Sequence, residues 1–180
     1  LTPNVIGPPL KEIIKLIAPE INENDIEIVM ENFRLIYDYD EHDISEYYSG
    51  VLEFLNKAKS SGKKLFIATY KPEKPTRRIE KQFKMDMFEE IYTIDKFGEH
   101  ITKTQMINDI LNKFNLKKEE TVMIGDASSD VISAKEAGVT GIGVLWGYGD
   151  DKTNLIKNSD YVVKNTQELE EYLKLNYQTI

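Results

Sequence analysis

An α/β fold, with a parallel sheet covered by helices on both faces, is what this sequence predicts, and three observations predict it. From about Gly50 onward, short β-branched runs alternate with amphipathic helical segments. Two of those runs, "KLFIAT" and "TVMIG", lead straight into polar residues of the kind that end buried strands. The first forty or so residues, by contrast, keep a helical period and never alternate like a strand.

The elements follow in order. "LKEIIKLIA" sets Leu10, Ile13, Ile14 and Ile17 on one helical face, and "NDIEIVMENFRLIY" does the same with Ile26, Val29, Met30, Phe33 and Ile36 or Tyr37. Pro8, Pro9 and Pro19 punctuate these segments. "GVLEFLNKAKSSG" is an amphipathic helix ended by Gly62, and "KLFIAT" follows as a strand. A helix in "PTRRIEKQF", a strand "IYTI" and a helix in "KTQMINDILNKF" come next. "TVMIG", a helix in "SDVISAKEAG", the run "TGIGVLW", the strand "DYVV" and a helix around "TQELEEYL" complete the chain. The boundary between helical lobe and α/β part falls in "DYDEHDISEYYSG", giving a helical cap over 1–43 and an α/β core over 44–180.

Composition narrows the function. The chain has 180 residues, an apolar fraction of 41% and no cysteine, which excludes disulfides, thiolate metal sites and a cysteine nucleophile. A net charge of -8, with a pI near 4.9, argues against nucleic acid as a partner but permits a small phosphorylated metabolite, because a bound cation can reverse the local sign. No apolar run is long enough to span a bilayer and the start carries no signal pattern, so no membrane partner and a cytoplasmic location are expected. His42 and His100 share no ligand spacing and read as surface residues. The sequence is silent on oligomeric state.

Right-handed crossovers place the C-terminal ends of all parallel strands on one edge, where open α/β sheets bind ligands. Thr69 ends one strand, Asp126 follows another with Asp130 four residues on, and Lys103 lies just beyond "IYTI". A hydroxyl, an ammonium and a carboxylate pair are the parts of a phosphate-and-Mg²⁺ site. Lys63 and Lys71 are near enough in sequence to compete with Lys103. Alone, "GDASSD" could serve only as a strand-to-helix turn with Asp130 favouring the helix N-terminus.

"ATYKPE", Lys103 and "GDASSD" resemble, in order, the second, third and fourth motifs of the haloacid dehalogenase superfamily. The flanking "SGVLEFLNKAKSSGKKLFIATYKPE" and "MIGDASSDVISAKEAGVTGIGVLWGYG" are similar to its phosphoglycolate phosphatase-type members, and the likeness covers essentially the whole chain. The resemblance implies a Rossmann-like core with a small helical cap. It implies a phosphatase that forms an aspartyl-phosphate and requires Mg²⁺. Thr69 would bind the phosphoryl group, with the backbone at Tyr70 and Lys71 cradling it. Lys103 would stabilise nucleophile and phosphoryl, and Asp126 and Asp130 would ligate Mg²⁺, Asp130 directly or through water. The chain departs from the family in having Tyr70 where Asn is common.

The larger departure is the nucleophile, the first Asp of a DxD motif ending the family's first strand. Asp38-Tyr39-Asp40 is the chain's DxD, but the residues before it continue a helical period and align with the cap-to-core linker. The family's first strand lies between those ending at Thr69 and Gly125. A sheet lacking it would have an unfilled slot with unpaired backbone groups. A leading strand and helix, about 30 residues on the scale of a βαβ unit, are therefore expected upstream. The alternative is an inactive protein of this fold that binds phosphate or Mg²⁺ without turnover. A signalling receiver is set aside, because there the acidic pair precedes the Thr and Lys.

Overall fold

The computed structural model describes residues 10–39, 45–97, 101–149 and 152–177. Two helices, α1 (Leu10–Ile17) and α2 (Glu23–Tyr39), come first and pack on one another through Ile14, Ile26 and Met30. Their pairing buries less than the sequence periodicity promises: Ile17, Val29, Phe33 and Ile36 stay exposed, Ile36 at 67%. Among the described residues the two helices have little besides each other to cover them.

The α/β part opens with α3 (Val51–Ser60) and β1 (Phe66–Thr69), then α4 (Glu73–Phe83), β2 (Glu90–Thr93) and α5 (Lys103–Lys113). There follow β3 (Val122–Gly125), α6 (Ser128–Ala137), β4 (Thr140–Val144), α7 (Lys152–Asn158), β5 (Tyr161–Val163) and α8 (Thr166–Asn176). A 3₁₀ turn at Lys118–Glu120 leads into β3. All strand pairs are parallel, so the α/β class expected from the alternation is the one observed.

Among the described residues the parallel strands form two ladders, as a sheet with an unfilled slot would. β1 pairs with β2 from Phe66↔Glu90 to Thr69↔Thr93, and β3, β4 and β5 form a separate ladder. Among the described residues no ladder joins β1 to β3. Burial marks the gap. Every residue of β1 and β3 is only half-buried, whereas three of four in β2 and four of five in β4 are buried. A strand paired on one side only keeps the other row of N–H and C=O groups open, as β1 and β3 do here.

Helices hold the two sheets in register across that gap. Ile107 and Leu111 of α5 pack against Ala134 and Ala137 of α6, so a helix tied to each sheet meets its counterpart. Tyr92, Ile94, Met106 and Ile110 form the core beside β1 and β2, while Phe54, Ile142, Val144, Val163, Leu169 and Leu173 join α3 and α8 to the three-stranded ladder. Ile142 is fully buried in the middle strand of that ladder. Ile142→Ala should therefore cost about 2–5 kcal/mol, measured as a shift in urea unfolding of the protein.

Candidate active site

Lys103 is the first residue of α5, and the chain fixes it there by a capping box. The Thr102 hydroxyl accepts from the Gln105 N–H at 3.2 Å, and the Gln105 side chain accepts from the Thr102 N–H at 2.8 Å. From this mount the Lys103 ammonium donates to Oδ1 of Asp130 in the first turn of α6. Both side chains are almost wholly covered, at 11% and 5% exposure. The other oxygen of Asp130 accepts from the Ala127 N–H at 3.1 Å. A cation that starts one helix is thus bonded to an anion that starts the other, over the gap between the sheets.

Asp126 sits immediately beyond β3, with Thr69 at the corresponding end of β1. Its Oδ2 accepts from the Gly149 N–H at 2.8 Å. Three close approaches around these aspartates require glycine: a Cβ on Gly125 would lie 2.3 Å from the Asp130 side chain, one on Gly147 2.1 Å from Oδ2 of Asp126, and one on Gly149 2.0 Å from the Asp126 carbonyl oxygen. Among the described residues, Oδ1 of Asp126 takes no hydrogen bond. Tyr48 faces this region. Its phenol is pushed above the usual range by burial first, then by Tyr148 and the charge of Asp126, and the two tyrosine rings stand 6.1 Å apart.

Thr69, Tyr70 and Lys71 form the loop after β1. The Thr69 hydroxyl accepts from the Lys71 N–H at 3.1 Å, which folds the loop back on the strand end. The resemblance sets the backbone at Tyr70 against the phosphate, and the Tyr70 side chain is built into the mount of Lys103. Its ring packs on the Tyr92–Ile94–Met106–Ile110 cluster, its hydroxyl accepts from the Lys103 N–H at 3.4 Å, and the Lys103 ammonium lies 4.9 Å from the ring centroid. The three candidate lysines differ in position. Lys63 precedes β1, at the opposite edge from Asp126, and the Lys71 side chain turns to Tyr37. Lys103 is the one bonded to Asp130.

Residues 2–144 match the model of the haloacid dehalogenase-like hydrolases. The chain belongs to that family. It is 31% identical over 167 residues to the pyrophosphatase PpaX of Halalkalibacterium halodurans, covering 91% of this chain and 75% of that protein. It is also 28% identical over 136 residues to a phosphoglycolate phosphatase of Vibrio parahaemolyticus, covering 75% of this chain and 60% of that relative's length. A crystal structure of a predicted phosphatase from Clostridium acetobutylicum superposes with a TM-score of 0.83 at 26% identity, over 94% of this chain and 78% of that one. Family and fold therefore agree with the order of motifs along the chain.

The donor set can be weighed against a divalent cation. Among the described residues, no cluster of three or more His, Cys, Asp or Glu side chains could by itself hold a metal ion. Asp130 has one oxygen engaged by Lys103 and the other by a backbone N–H. Each of these oxygens keeps a second lone pair, so contact with a cation directly or through water need not displace Lys103. One free carboxylate oxygen on Asp126, completed by water and phosphate oxygens, fits Mg²⁺, which binds through one or two carboxylates and keeps several waters. His42 and His100 lie outside the described residues.

Gly125→Ala tests how tightly this pocket is built. The added methyl must move the Asp130 carboxylate or the strand, so stability should fall by about 1–3 kcal/mol in urea unfolding. A loss below about 0.5 kcal/mol would show that Asp130 is loosely held.

Proposed function

We propose that this chain forms the phosphate- and Mg²⁺-binding core of a phosphatase that hydrolyses a small phosphomonoester, phosphoglycolate first among the candidates. The observation that carries this reading is the buried Lys103–Asp130 pair on the rim that Asp126 and Thr69 share. The names of the relatives support it, since one is a phosphoglycolate phosphatase and another a pyrophosphatase.

In this reading an aspartate outside these 180 residues attacks phosphorus, the ester oxygen leaves as the alcohol, and water then cleaves the aspartyl-phosphate to give phosphate. The Thr69 hydroxyl and the N–H groups of the loop behind it bind phosphoryl oxygens. Lys103, fixed by Thr102, Tyr70 and Asp130, presents positive charge to the transferring group without having to reorganise. Mg²⁺ held by Asp126, and through water by Asp130, would neutralise charge on nucleophile and phosphoryl oxygens. In this reading the attacking strand would pair with the edges that β1 and β3 leave unpaired among the described residues. A cytoplasmic setting and a small phosphorylated metabolite, rather than nucleic acid or membrane, suit the acidic surface; no described helix is long and apolar enough to cross a membrane.

A second reading, a shell that binds phosphate or Mg²⁺ without turnover, is favoured by one observation. The Asp38-Tyr39-Asp40 motif does not end a strand: α2 runs on to Tyr39, while the side chain of Asp38 and all of Asp40 lie outside the described residues.

Turnover of p-nitrophenyl phosphate by the full-length gene product separates the two. Steady activity with Mg²⁺, its loss with EDTA, and a fall of about 10³-fold in Asp126→Ala are expected of the enzyme. Lys103→Met should lower kcat by about 10²-fold. Absence of turnover under all conditions leaves the binding shell.

A further inference from the structure

Lys71 differs from several other lysines of the chain in what its ammonium reaches. Lys57, Lys59, Lys96, Lys113 and Lys174 each reach a carboxylate, as expected in a chain of net charge -8. Among the described residues, the Lys71 ammonium reaches only Tyr37. It donates to that phenol oxygen at 2.9 Å and lies 5.1 Å from the ring centroid. Tyr37 is itself fixed, stacked on Phe33 one helical turn earlier with centroids 5.6 Å apart. The Arg78 guanidinium lies 5.8 Å from the same ring and donates to the Tyr37 carbonyl at 3.0 Å. Two cations thus converge on one aromatic residue of α2, two positions past Thr69 in the case of Lys71.

From this arrangement we infer that Lys71 reads a second anionic group on the substrate, a carboxylate or a further phosphate joined to the ester at Thr69, and that Tyr37 holds its ammonium ready for that group. The inference deepens the phosphatase reading and rests on it. An ammonium has three donors, and one spent on a neutral hydroxyl is readily shared with, or exchanged for, a charged acceptor. The backbone N–H of Lys71 is tied to the Thr69 hydroxyl, so the stem starts at the phosphate end of the loop and its head is held by α2. One residue thereby connects the phosphate-binding loop to the helical lobe, and the connection is selective for tail charge.

The test uses the full-length protein with Mg²⁺ and two esters whose tails differ in sign, phosphoglycolate and phosphoethanolamine, with p-nitrophenyl phosphate as reference. Wild type should prefer phosphoglycolate in kcat/KM by about tenfold or more, and Lys71→Met should cut that preference by about tenfold, chiefly through KM for phosphoglycolate. Lys71→Glu should reverse the preference, and Tyr37→Phe should weaken it less than Lys71→Met does. If Lys71→Met slows both esters alike, the inference is overturned and Lys71 only ties α2 to the core. If none of the three esters turns over, the phosphatase reading fails separately. Calorimetric titration with the same two charged esters then decides: selective loss of phosphoglycolate affinity in Lys71→Met upholds the inference, and equal affinities overturn it.

Discussion

The ion pair between Lys103 and Asp130 is the constraint on which the remaining geometry hangs. Two sheets that share no backbone ladder among the described residues must be set at a fixed distance if Thr69 on one and Asp126 beyond the other are to serve a single ligand. Apolar packing of α5 on α6 brings the helices together but is not directional. A hydrogen-bonded pair between the first turns of the same helices is directional, and with both members buried it is costly to leave half-made. The capping box at Thr102, the Tyr70 ring and the Ala127 N–H each hold one member of the pair, so its geometry is over-determined.

Around this pair the chain separates two jobs. Glycines at 125 and 149 give up side-chain contacts so that carboxylates and backbone can approach closely, which leaves Asp126 with one bonded and one open oxygen. The loop after β1 does the reverse, placing hydroxyl, N–H and ammonium groups near the same rim. Tyr37 sets a neutral ring against Lys71, while Lys103 meets both the Tyr70 ring and the Asp130 carboxylate.

Much of this was legible in the sequence, because the signals were local. The β-branched runs and the Gly–Asp turn depend on neighbours a few residues away, while the order of Thr69, Lys103 and Asp126 was read through the family resemblance and the capping box in "TKTQ" went unread. What escaped depends on distant contacts. The pairing of Lys103 with Asp130, the use of Tyr70 as a support, and the bond from Lys71 to Tyr37 join residues 27 to 34 positions apart. The short helix α7 was also missed, since only Leu155 of its seven residues is buried and no cap pattern announces it. The exposure of Phe33 and Ile36 was unreadable for another reason: periodicity says which residues share a face and nothing about what covers it.

A double-mutant cycle between Lys103 and Asp130 tests the central claim most directly. Urea unfolding of Lys103→Met, Asp130→Asn and the double variant gives the coupling free energy between the two side chains. A value above about 1 kcal/mol, with each single change costing more than the pair of changes together would suggest, is the predicted result. Additivity within about 0.3 kcal/mol would mean that the two residues do not sense each other, and that the sheets are held in register by something else.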